Sequence, residues 1–442
     1  MSLPLKYDPQ VLAWLEDPYP SYRELREAGP LSRGGPAQWV VTRYADVAAL
    51  ISDARLGAQF SEEYHRIALG DGPLADFFGH VMLNRDPPAH TVLRRLFGAE
   101  FTTRAVRERS RRIDSMVSEL LAPAVAEGRF DAVTDLADKL PIRVLADFVG
   151  LDLENIDEVR SPARVLSQAF ATFLPEDERA ETTAALEWMR DKVGALFEQK
   201  RRVPGDDVVS RLCQVEEAAA SSQVLIDNVV FLLFAGFSTT TDLLGNGCAA
   251  IAARPDQQAI LRANPDLVPR AVEEMLRFDA PVQVKSRLVH EPVEIGGRVI
   301  RSGRVLILHL GSANHDEDRF ARPSELDVTR HPNPHVSFGG GGIHLCLGAA
   351  LARSETASVL RFFAGRFASM EPDGPAVRRY SPSFRTYASV PVQVTPAPLP
   401  GLRFPYRRTI DLGSLHVPGD VGRPHLPALG LAAGRAVDRS PR

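Results

Sequence analysis

Cysteine is scarce in this sequence, with three residues among 442: Cys213, Cys248 and Cys346. Three is an odd number, and the positions lie far apart, which argues against a disulfide framework. The scarcity favours a reducing, cytoplasmic setting. We expect Cys213 and Cys248 to be small buried side chains, which is the common role of an isolated cysteine.

The sequence also lacks a run of apolar residues long enough to span a membrane, which takes roughly 18 residues. The longest run, VVFLLFAG at Val229 to Gly236, fits a buried helix better. No basic segment followed by an apolar stretch opens the chain, so no secretory signal is predicted. The charges balance, at 52 basic against 56 acidic residues. We therefore expect neither a membrane nor a nucleic acid as partner.

The patterning predicts one mainly α-helical domain with small β-sheets over residues 1–395. Two short runs, AQWVVTRY and VEIGGRVI, are typical of strands. From Thr102 to about Ala253, apolar residues recur three and four positions apart, as in amphipathic helices. Residues 396–442 are rich in proline, glycine and arginine without periodicity, and we expect a flexible C-terminal extension there.

Cys346 stands apart from the other cysteines because it lies in the stretch HVSFGGGGIHLCLGAALAR, residues 335–353. Gly339 to Gly342 allow the backbone to approach a flat partner closely. A helix is predicted directly afterwards, and the N–H groups at its start favour a thiolate at Cys346. A thiolate in a glycine-rich loop is suited to ligate haem iron.

This loop resembles the haem-binding loop of the cytochrome P450 family, Phe-Gly-x-Gly-x-His/Arg-x-Cys-x-Gly. Gly342, His344, Cys346 and Gly348 fall at the family spacing. Phe338 lies one residue too far from the cysteine, so either the loop bulges and Phe338 still shields the sulfur, or Gly339 takes its place. The resemblance implies haem b with Cys346 as the axial iron ligand.

Glu274 and Arg277 form an E-x-x-R pair on one predicted helix face. An isolated pair of this kind is usually a surface ion pair. In the family the pair is structural and buried, and the resemblance implies a network that supports the haem loop. An arginine near ARPSELDVTRHPNPH is a candidate third member.

The stretch LLFAGFSTTTDLLGNG resembles the family helix that crosses the distal face of the haem. The resemblance implies that Gly236, after Ala235, lets this helix open, and that Thr239 helps to deliver protons. Mid-helix threonines more often bond to their own carbonyls. The family usually has Asp or Glu where this chain has Ser238. A carboxylate can relay protons, whereas a serine can only hold water in place.

DPPAHTVLRRLFGAEF resembles the family segment that binds the haem propionates. His90 and Arg94 lie four residues apart, on one helical face. The resemblance adds Arg287 and His344 to this set. Lys285, two residues before Arg287 on the same side of an extended strand, is a further candidate.

The resemblance therefore implies the cytochrome P450 fold and a soluble bacterial enzyme that tailors actinobacterial natural products. The implied reaction inserts one oxygen atom from O2 into an apolar small molecule, by hydroxylation or epoxidation, in secondary metabolism. The resemblance implies that electrons come from NAD(P)H through a ferredoxin and a ferredoxin reductase or their equivalents. We expect the ferredoxin to dock near Arg95 and Arg353, and the enzyme to be a monomer. The candidate pocket residues are Phe77, Phe170, Phe237, Val282, Gln283 and Phe384.

Two alternatives remain open. Ser238 is compatible with a cytochrome P450 that catalyses oxidative C–C or C–O coupling or desaturation, for which proton delivery to oxygen is less demanding. A non-catalytic haem-binding protein is the second alternative. Thr239 and Gly236 argue against it, because a carrier has no use for a proton-relay groove.

Overall fold

A computed structural model describes residues 7–9, 16–35, 37–152, 157–170, 174–214 and 220–397. Residues 398–442, nearly all of the predicted extension, lie outside the described residues. Among the described residues the α-helices are α1 (Tyr19–Ala28), α2 (Tyr44–Leu50), α3 (Glu62–Leu69), α4 (Pro73–His80), α5 (Ala89–Gly98), α6 (Thr103–Glu108), α7 (Ser110–Glu127), α8 (Leu140–Val149), α9 (Asp157–Leu166), α10 (Glu176–Arg202), α11 (Val208–Leu212), α12 (Ser222–Ala252), α13 (Pro255–Ala263), α14 (Val268–Phe278), α15 (Leu310–Ala313) and α16 (Ala349–Arg366).

Short strands form four small sheets in the described part of the chain. The strands are β1 (Ser32–Arg33), β2 (Gln38–Val41), β3 (Leu56–Gly57), β4 (Arg129–Asp131), β5 (Val284–Val289), β6 (Val293–Ile295), β7 (Arg298–Ile300), β8 (Val305–His309), β9 (Phe367–Pro372), β10 (Val377–Arg379), β11 (Thr386–Ser389) and β12 (Pro391–Pro396). The largest sheet has the order β1-β2-β8-β5-β3, in which only β2 and β8 run parallel. A second sheet has the order β4-β12-β9, and β6–β7 and β10–β11 are hairpins.

The mainly α-helical class with small sheets is confirmed. The predicted strands are present as β2 and the β6–β7 hairpin, whose turn contains Gly296 and Gly297, both at positive φ. Helix α7 ends where predicted, because Gly128 adopts the left-handed conformation at φ 74°. Strands β9 to β12 were not predicted, because most of their short segments show no clear alternation of apolar residues.

Helix α12 is the axis of the larger hydrophobic core, since most of its 31 residues are buried on several sides. By length and composition alone it could cross a membrane, with a mean hydropathy of 1.6 over its most apolar window. In the structure 67% of that window is buried against the rest of the chain. This is the packing of a core helix, as the VVFLLFAG run predicted.

The predicted Glu274–Arg277 pair is confirmed as a buried network on α14, with both side chains fully shielded from solvent. Two parallel hydrogen bonds of 2.8 Å join the guanidinium to the carboxylate. Arg330, from the segment named in the sequence analysis, donates to both Glu274 oxygens at 3.0 and 3.1 Å. Asn333 donates to the same carboxylate at 3.0 Å. The buried Glu274 carboxylate is therefore fully hydrogen-bonded, with two of its partners positively charged.

This network fixes the chain that leads to the cysteine loop. Arg277 also donates to the carbonyl oxygen of Asn314 at 3.0 Å. Asn314 in turn binds Ser337 through its side chain and accepts from the Val336 N–H. Ser337 donates to the Leu276 carbonyl at 2.6 Å, which ties the start of the loop back to α14.

Breaking this network will destabilise the protein strongly. In Glu274→Gln, the guanidinium groups of Arg277 and Arg330 stay buried with only a neutral partner, so the free energy of unfolding should fall by about 3–5 kcal/mol. Chemical denaturation measures this change. The matched control is Glu108→Gln, which removes an exposed ion pair with Arg104 and should have no measurable effect. Equal effects of the two substitutions would contradict the structural role of the network.

Candidate active site

The cysteine loop folds through four consecutive glycines that all have positive φ, at 89°, 60°, 146° and 72° for Gly339 to Gly342. A Cβ atom on Gly340 would lie 3.0 Å from Cγ2 of Ile51, and one on Gly342 would lie 3.2 Å from Cα of Ser52. The loop thus packs closely against the end of α2 and accepts only glycine at these positions without strain.

The loop that carries the extra residue is closed by a backbone hydrogen bond between its two ends. The Cys346 N–H donates to the Phe338 carbonyl at 2.9 Å, which closes the loop on itself. The Phe338 ring lies under the Arg353 guanidinium, 4.5 Å from its centre. Arg353 in turn binds Glu273 through two hydrogen bonds of 2.6 and 2.8 Å. That Phe338 shields the sulfur stays a prediction.

Cys346 lies three residues before the start of α16, as predicted. Cys346 keeps an exposed surface, and desolvation by the surrounding protein raises the pKa of its thiol, whereas the Gly348 N–H and the positive charges of Lys285 and Arg94 lower it. The side chains around the sulfur are therefore the ones that favour its negative form.

Strand β5, helix α5 and the cysteine loop bring the predicted basic residues into one group, which we call the basic cluster: His90, Arg94, Lys285, Arg287 and His344. The rings of His90 and His344 are 4.3 Å apart. Lys285 Nζ donates to the His344 carbonyl at 3.4 Å. Arg287 is 3% exposed and donates to the neighbouring Ser286 carbonyl.

The surroundings of the basic cluster disfavour the positively charged forms of its side chains. Burial lowers the pKa of Lys285 to about 7, and the nearby Arg287 adds to this effect. Burial lowers the pKa of Arg287 to about 10. The pKa of His344 falls to about 3, first through burial and then through repulsion by Lys285. Like charges confined together in this way favour an anionic partner.

These residues fit the haem that the resemblance implies. Among the described residues, Nδ1 of His90 and Nε2 of His344 are buried without a hydrogen-bond partner. Two propionate groups would provide the missing acceptors and the missing negative charge. The glycine loop, which tolerates no side chain at Gly340 or Gly342, presents the Cys346 thiol beside the same cluster.

Helix α12 carries a partly exposed face formed by Ala235, Ser238 and Thr239. The Ser238 hydroxyl donates to the Phe234 carbonyl at 3.0 Å, and the Thr239 hydroxyl donates to the Ala235 carbonyl at 2.8 Å. Both hydroxyls thus make the usual bond of a mid-helix residue to the preceding turn. Their oxygens remain free to accept.

The expected opening of α12 at Gly236 is not seen, because the helix is continuous from Ser222 to Ala252. The glycine serves a different purpose. A Cβ atom at this position would lie 3.0 and 3.2 Å from the two methyl carbons of Leu145. Gly236 therefore allows α8 to pack closely against α12.

Three of the predicted pocket residues lie together. The Phe170 ring is 5.7 Å from the Phe384 ring and 5.1 Å from the Phe234 ring. Phe384 pairs with Val282 through an isolated β-bridge. Phe170, Val282 and Phe384 are all partly exposed, so they are available to contact a ligand.

The other three predicted pocket residues are buried, and their assignment to the pocket is wrong. Phe77 and Phe237 are 0% and 1% exposed and belong to the main hydrophobic core. Phe237 lies on the face of α12 opposite to Ala235, because two residues turn a helix by about 200°. Gln283 is 3% exposed and donates to the Ala280 carbonyl at 2.7 Å.

Two acidic residues near these groups were not predicted from the sequence. Asp86 accepts from the Ala58 and Gln59 N–H groups and faces His290, with His344 Nε2 at 3.7 Å. It stands directly before the Pro-Pro pair of the propionate-binding segment, which was the available signal. Asp242 is a buried acid on α12, one turn after Thr239.

Comparison with known proteins places this site in context. The family model for cytochrome P450 matches residues 148–375. The 6-deoxyerythronolide B hydroxylase of Saccharopolyspora erythraea is 35% identical over 367 residues, covering 80% of this chain and 89% of that protein. Cytochrome P450 monooxygenase PikC of Streptomyces venezuelae is 34% identical over 390 residues, covering 85% and 91%. The crystal structure of CalO2 matches with a TM-score of 0.83 at 31% identity, covering 88% and 99%.

Removing one cation of the basic cluster will weaken haem retention. Arg287→Met should raise the rate of haem transfer to apomyoglobin by roughly 10–100-fold, because one or two charge-assisted hydrogen bonds are lost. Arg95→Met, which removes an exposed arginine one residue after Arg94, is the control and should leave the rate unchanged. Equal rates for the parent protein and Arg287→Met would show that the cluster does not hold the propionates.

Proposed function

The chain belongs to the cytochrome P450 family, and we propose that it hydroxylates or epoxidises an apolar small molecule of secondary metabolism. As a haem-thiolate monooxygenase it takes electrons from redox partners, places one atom of O2 in its substrate and reduces the other to water. Haem with a thiolate ligand supplies the O2-activating chemistry, and the thiolate favours O–O cleavage. The protein supplies binding, orientation and control of protons.

The haem would be held by Cys346 and by the basic cluster. The observation that carries this assignment is that a thiol following four consecutive glycines lies beside cations that are wholly or partly buried and repel one another. His90 and His344 would donate through the ring nitrogens that make no hydrogen bond within the described residues. Arg94 and Arg287 would add positive charge that balances two buried carboxylates.

The hydroxyl of Thr239 would hold water and pass protons. Its proton is donated to the Ala235 carbonyl, so the oxygen can accept from a water molecule. Ser238 beside it can hold water in the same manner. Neither group can release a proton at neutral pH, which leaves the source of the protons to another residue.

The substrate would lie against the partly exposed surface of Phe170, Val282 and Phe384. These side chains are uncharged and offer aromatic and aliphatic contact area. Phe170 and Phe384 extend a series of packed rings that includes Phe231 and Phe234. Such a surface favours an apolar compound with few polar groups. One similar protein is named as the hydroxylase of 6-deoxyerythronolide B, which supports a natural-product substrate.

Ser238 also supports a second candidate reaction, oxidative coupling or desaturation. Its hydroxyl is bound to the helix carbonyl of Phe234 and carries no acid. Ser238→Asp separates the two reactions, since a large gain in coupled oxygen insertion supports hydroxylation. A product that contains no oxygen atom from labelled O2 favours coupling or desaturation.

The reaction type and the role of Thr239 can be tested together. Under isotopically labelled O2, the product should gain one labelled oxygen atom per molecule. Thr239→Val should lower product formed per NAD(P)H oxidised by about tenfold or more, because proton transfer is disturbed. Thr240→Val is the matched control, since Thr240 is buried on another face of α12. A product without labelled oxygen would contradict monooxygenation.

A ferredoxin with its reductase is the proposed electron source, docking on the surface near Cys346. Arg95 is exposed, and Arg353 is 41% exposed although it binds Glu273. These cations would meet an acidic partner. The free thiols of Cys213, Cys248 and Cys346 support the proposal of a reducing cytoplasmic setting.

Binding of an acidic ferredoxin should weaken as salt rises, because the charges involved are exposed and screened. We expect the Kd measured by calorimetry to rise several-fold between low and physiological ionic strength. Arg95→Gln should weaken binding at low salt and reduce this dependence. A Kd that does not respond to salt would contradict the docking surface.

A further inference from the structure

Helix α12 contains two acidic residues, Asp227 and Asp242, and the mechanism described above uses neither. Asp227 is bound by Arg190 through two hydrogen bonds of 2.7 and 2.9 Å and by His80 at 2.7 Å. It lies three turns before Thr239 and has a full set of partners. Asp242 is the acid closest in sequence to the position where this chain lacks one, Ser238.

Helical geometry places Asp242 on the same face as the proton-handling residues. Asp242 follows Ser238 by four residues and Thr239 by three, the two spacings that bring side chains together on a helix. Helical side chains also lean toward the helix N-terminus, which brings a residue at position 242 close to the turn that carries Ser238 and Thr239.

Asp242 is buried, at 8% exposure, and its carboxyl is surrounded by Thr386, Arg379, Arg164 and Asp138. Burial raises the pKa of Asp242 to about 7, and Asp138 adds to this, while Thr386, Arg379 and Arg164 oppose it. The group can therefore be protonated or ionised near neutral pH, which suits a proton donor.

The cluster around Asp242 connects the helix with solvent. Arg379 is an exposed residue at the end of β10, and the Arg164 side chain is 37% exposed and pairs with Asp138. Thr386 begins β11, two residues after Phe384 of the proposed substrate surface. Asp242 thus has solvent-facing groups on one side and the helix turn of Thr239 on the other.

We propose that Asp242 is the proton-relay residue of this enzyme and replaces the acid that the family usually carries at position 238. The proposal rests on the proposed monooxygenase function and adds a specific residue to it.

Every proton in the proposed transfer has a stated source and destination. The Asp242 carboxylic acid gives its proton to a hydroxyl or water held by Ser238 and Thr239, which passes a proton on toward the oxygen atom that leaves as water. Asp242 remains as a carboxylate beside Arg379 and Arg164. It regains a proton from solvent on their side, and two such transfers supply the two protons that form each water molecule.

The decisive variant is Asp242→Asn, which keeps the shape of the side chain and removes its proton. We expect product formed per NAD(P)H to fall by roughly 10–100-fold while KM changes little. Product formation by the parent should also decline as the pH rises through about 7, because Asp242 ionises there. The variant should lack this decline.

Rescue distinguishes a relay from a structural role. Ser238→Asp combined with Asp242→Asn restores an acid one turn away and should recover most of the lost product yield. A residue that merely supported the fold would not be replaced by an acid elsewhere. Failure of the double variant to recover, while it binds haem normally, would overturn the proposal.

Infrared spectroscopy of the resting protein gives a readout that does not depend on turnover. The carbonyl band of a protonated, buried Asp242 should be present at pH 6, disappear above about pH 8, and be absent in Asp242→Asn. Glu355, whose pKa burial raises to about 8, supplies an internal reference band that Glu355→Gln removes. The absence of any titrating band that depends on Asp242 would overturn the proposal.

The pH dependence of stability gives a second independent readout. The folded state binds the Asp242 proton more tightly than the unfolded chain, so the parent loses stability as pH rises from about 4 to about 7. Asp242→Asn should lose less over this range. The two proposals can also be separated. If the parent carries thiolate-bound haem, but Asp242→Asn and the double variant both form as much product per NAD(P)H as the parent, the relay proposal fails and the monooxygenase function stands.

Discussion

Burying negative charge is the physical problem on which the rest of this structure depends. A cysteine thiolate and two haem carboxylates must be kept out of water, and each would be costly without compensation. The chain answers with cations of which Arg287 is buried and Arg94 and Lys285 are partly buried. Their pKa values are lowered because desolvation and mutual repulsion disfavour the positive charges, and binding of the anions offsets this unfavourable energy.

The fold holds these charged groups in fixed positions relative to one another. The largest sheet supplies β5, which positions Lys285 and Arg287, and the helical core supplies α5 with His90 and Arg94. The cysteine loop is fixed from behind by Glu274, whose carboxylate collects Arg277, Arg330 and Asn333. A rigid loop keeps the sulfur in place, which a ligand to iron requires.

Sequence reasoning recovered the parts of this site that depend on fixed local spacing. The Cys346 loop and the Glu274–Arg277 pair are motifs of residues a few positions apart, and such motifs can be recognised directly in the sequence. It also led to the buried network, although the identity of Arg330 required the fold, since that residue is 56 positions from Glu274.

Sequence reasoning failed where the direction of a side chain decides its role. Phe77 and Phe237 belong to the core because of their helix faces, and no local pattern separates them from Phe170 and Phe384. Gly236 serves helix packing against Leu145, a contact between distant segments. Asp242 was overlooked because its burial and its neighbours come from β10, β11 and α9, which the sequence does not place beside α12.

The central claim, an iron bound by the Cys346 thiolate, is tested most directly by the absorption spectrum of the reduced protein under carbon monoxide. The account predicts the strongly red-shifted Soret band of thiolate-ligated haem. It also predicts that Cys346→Ser loses this band while the polypeptide remains folded by circular dichroism. A parent protein whose Soret band matches histidine-ligated haem, or a Cys346→Ser variant that retains the shifted band, would contradict it.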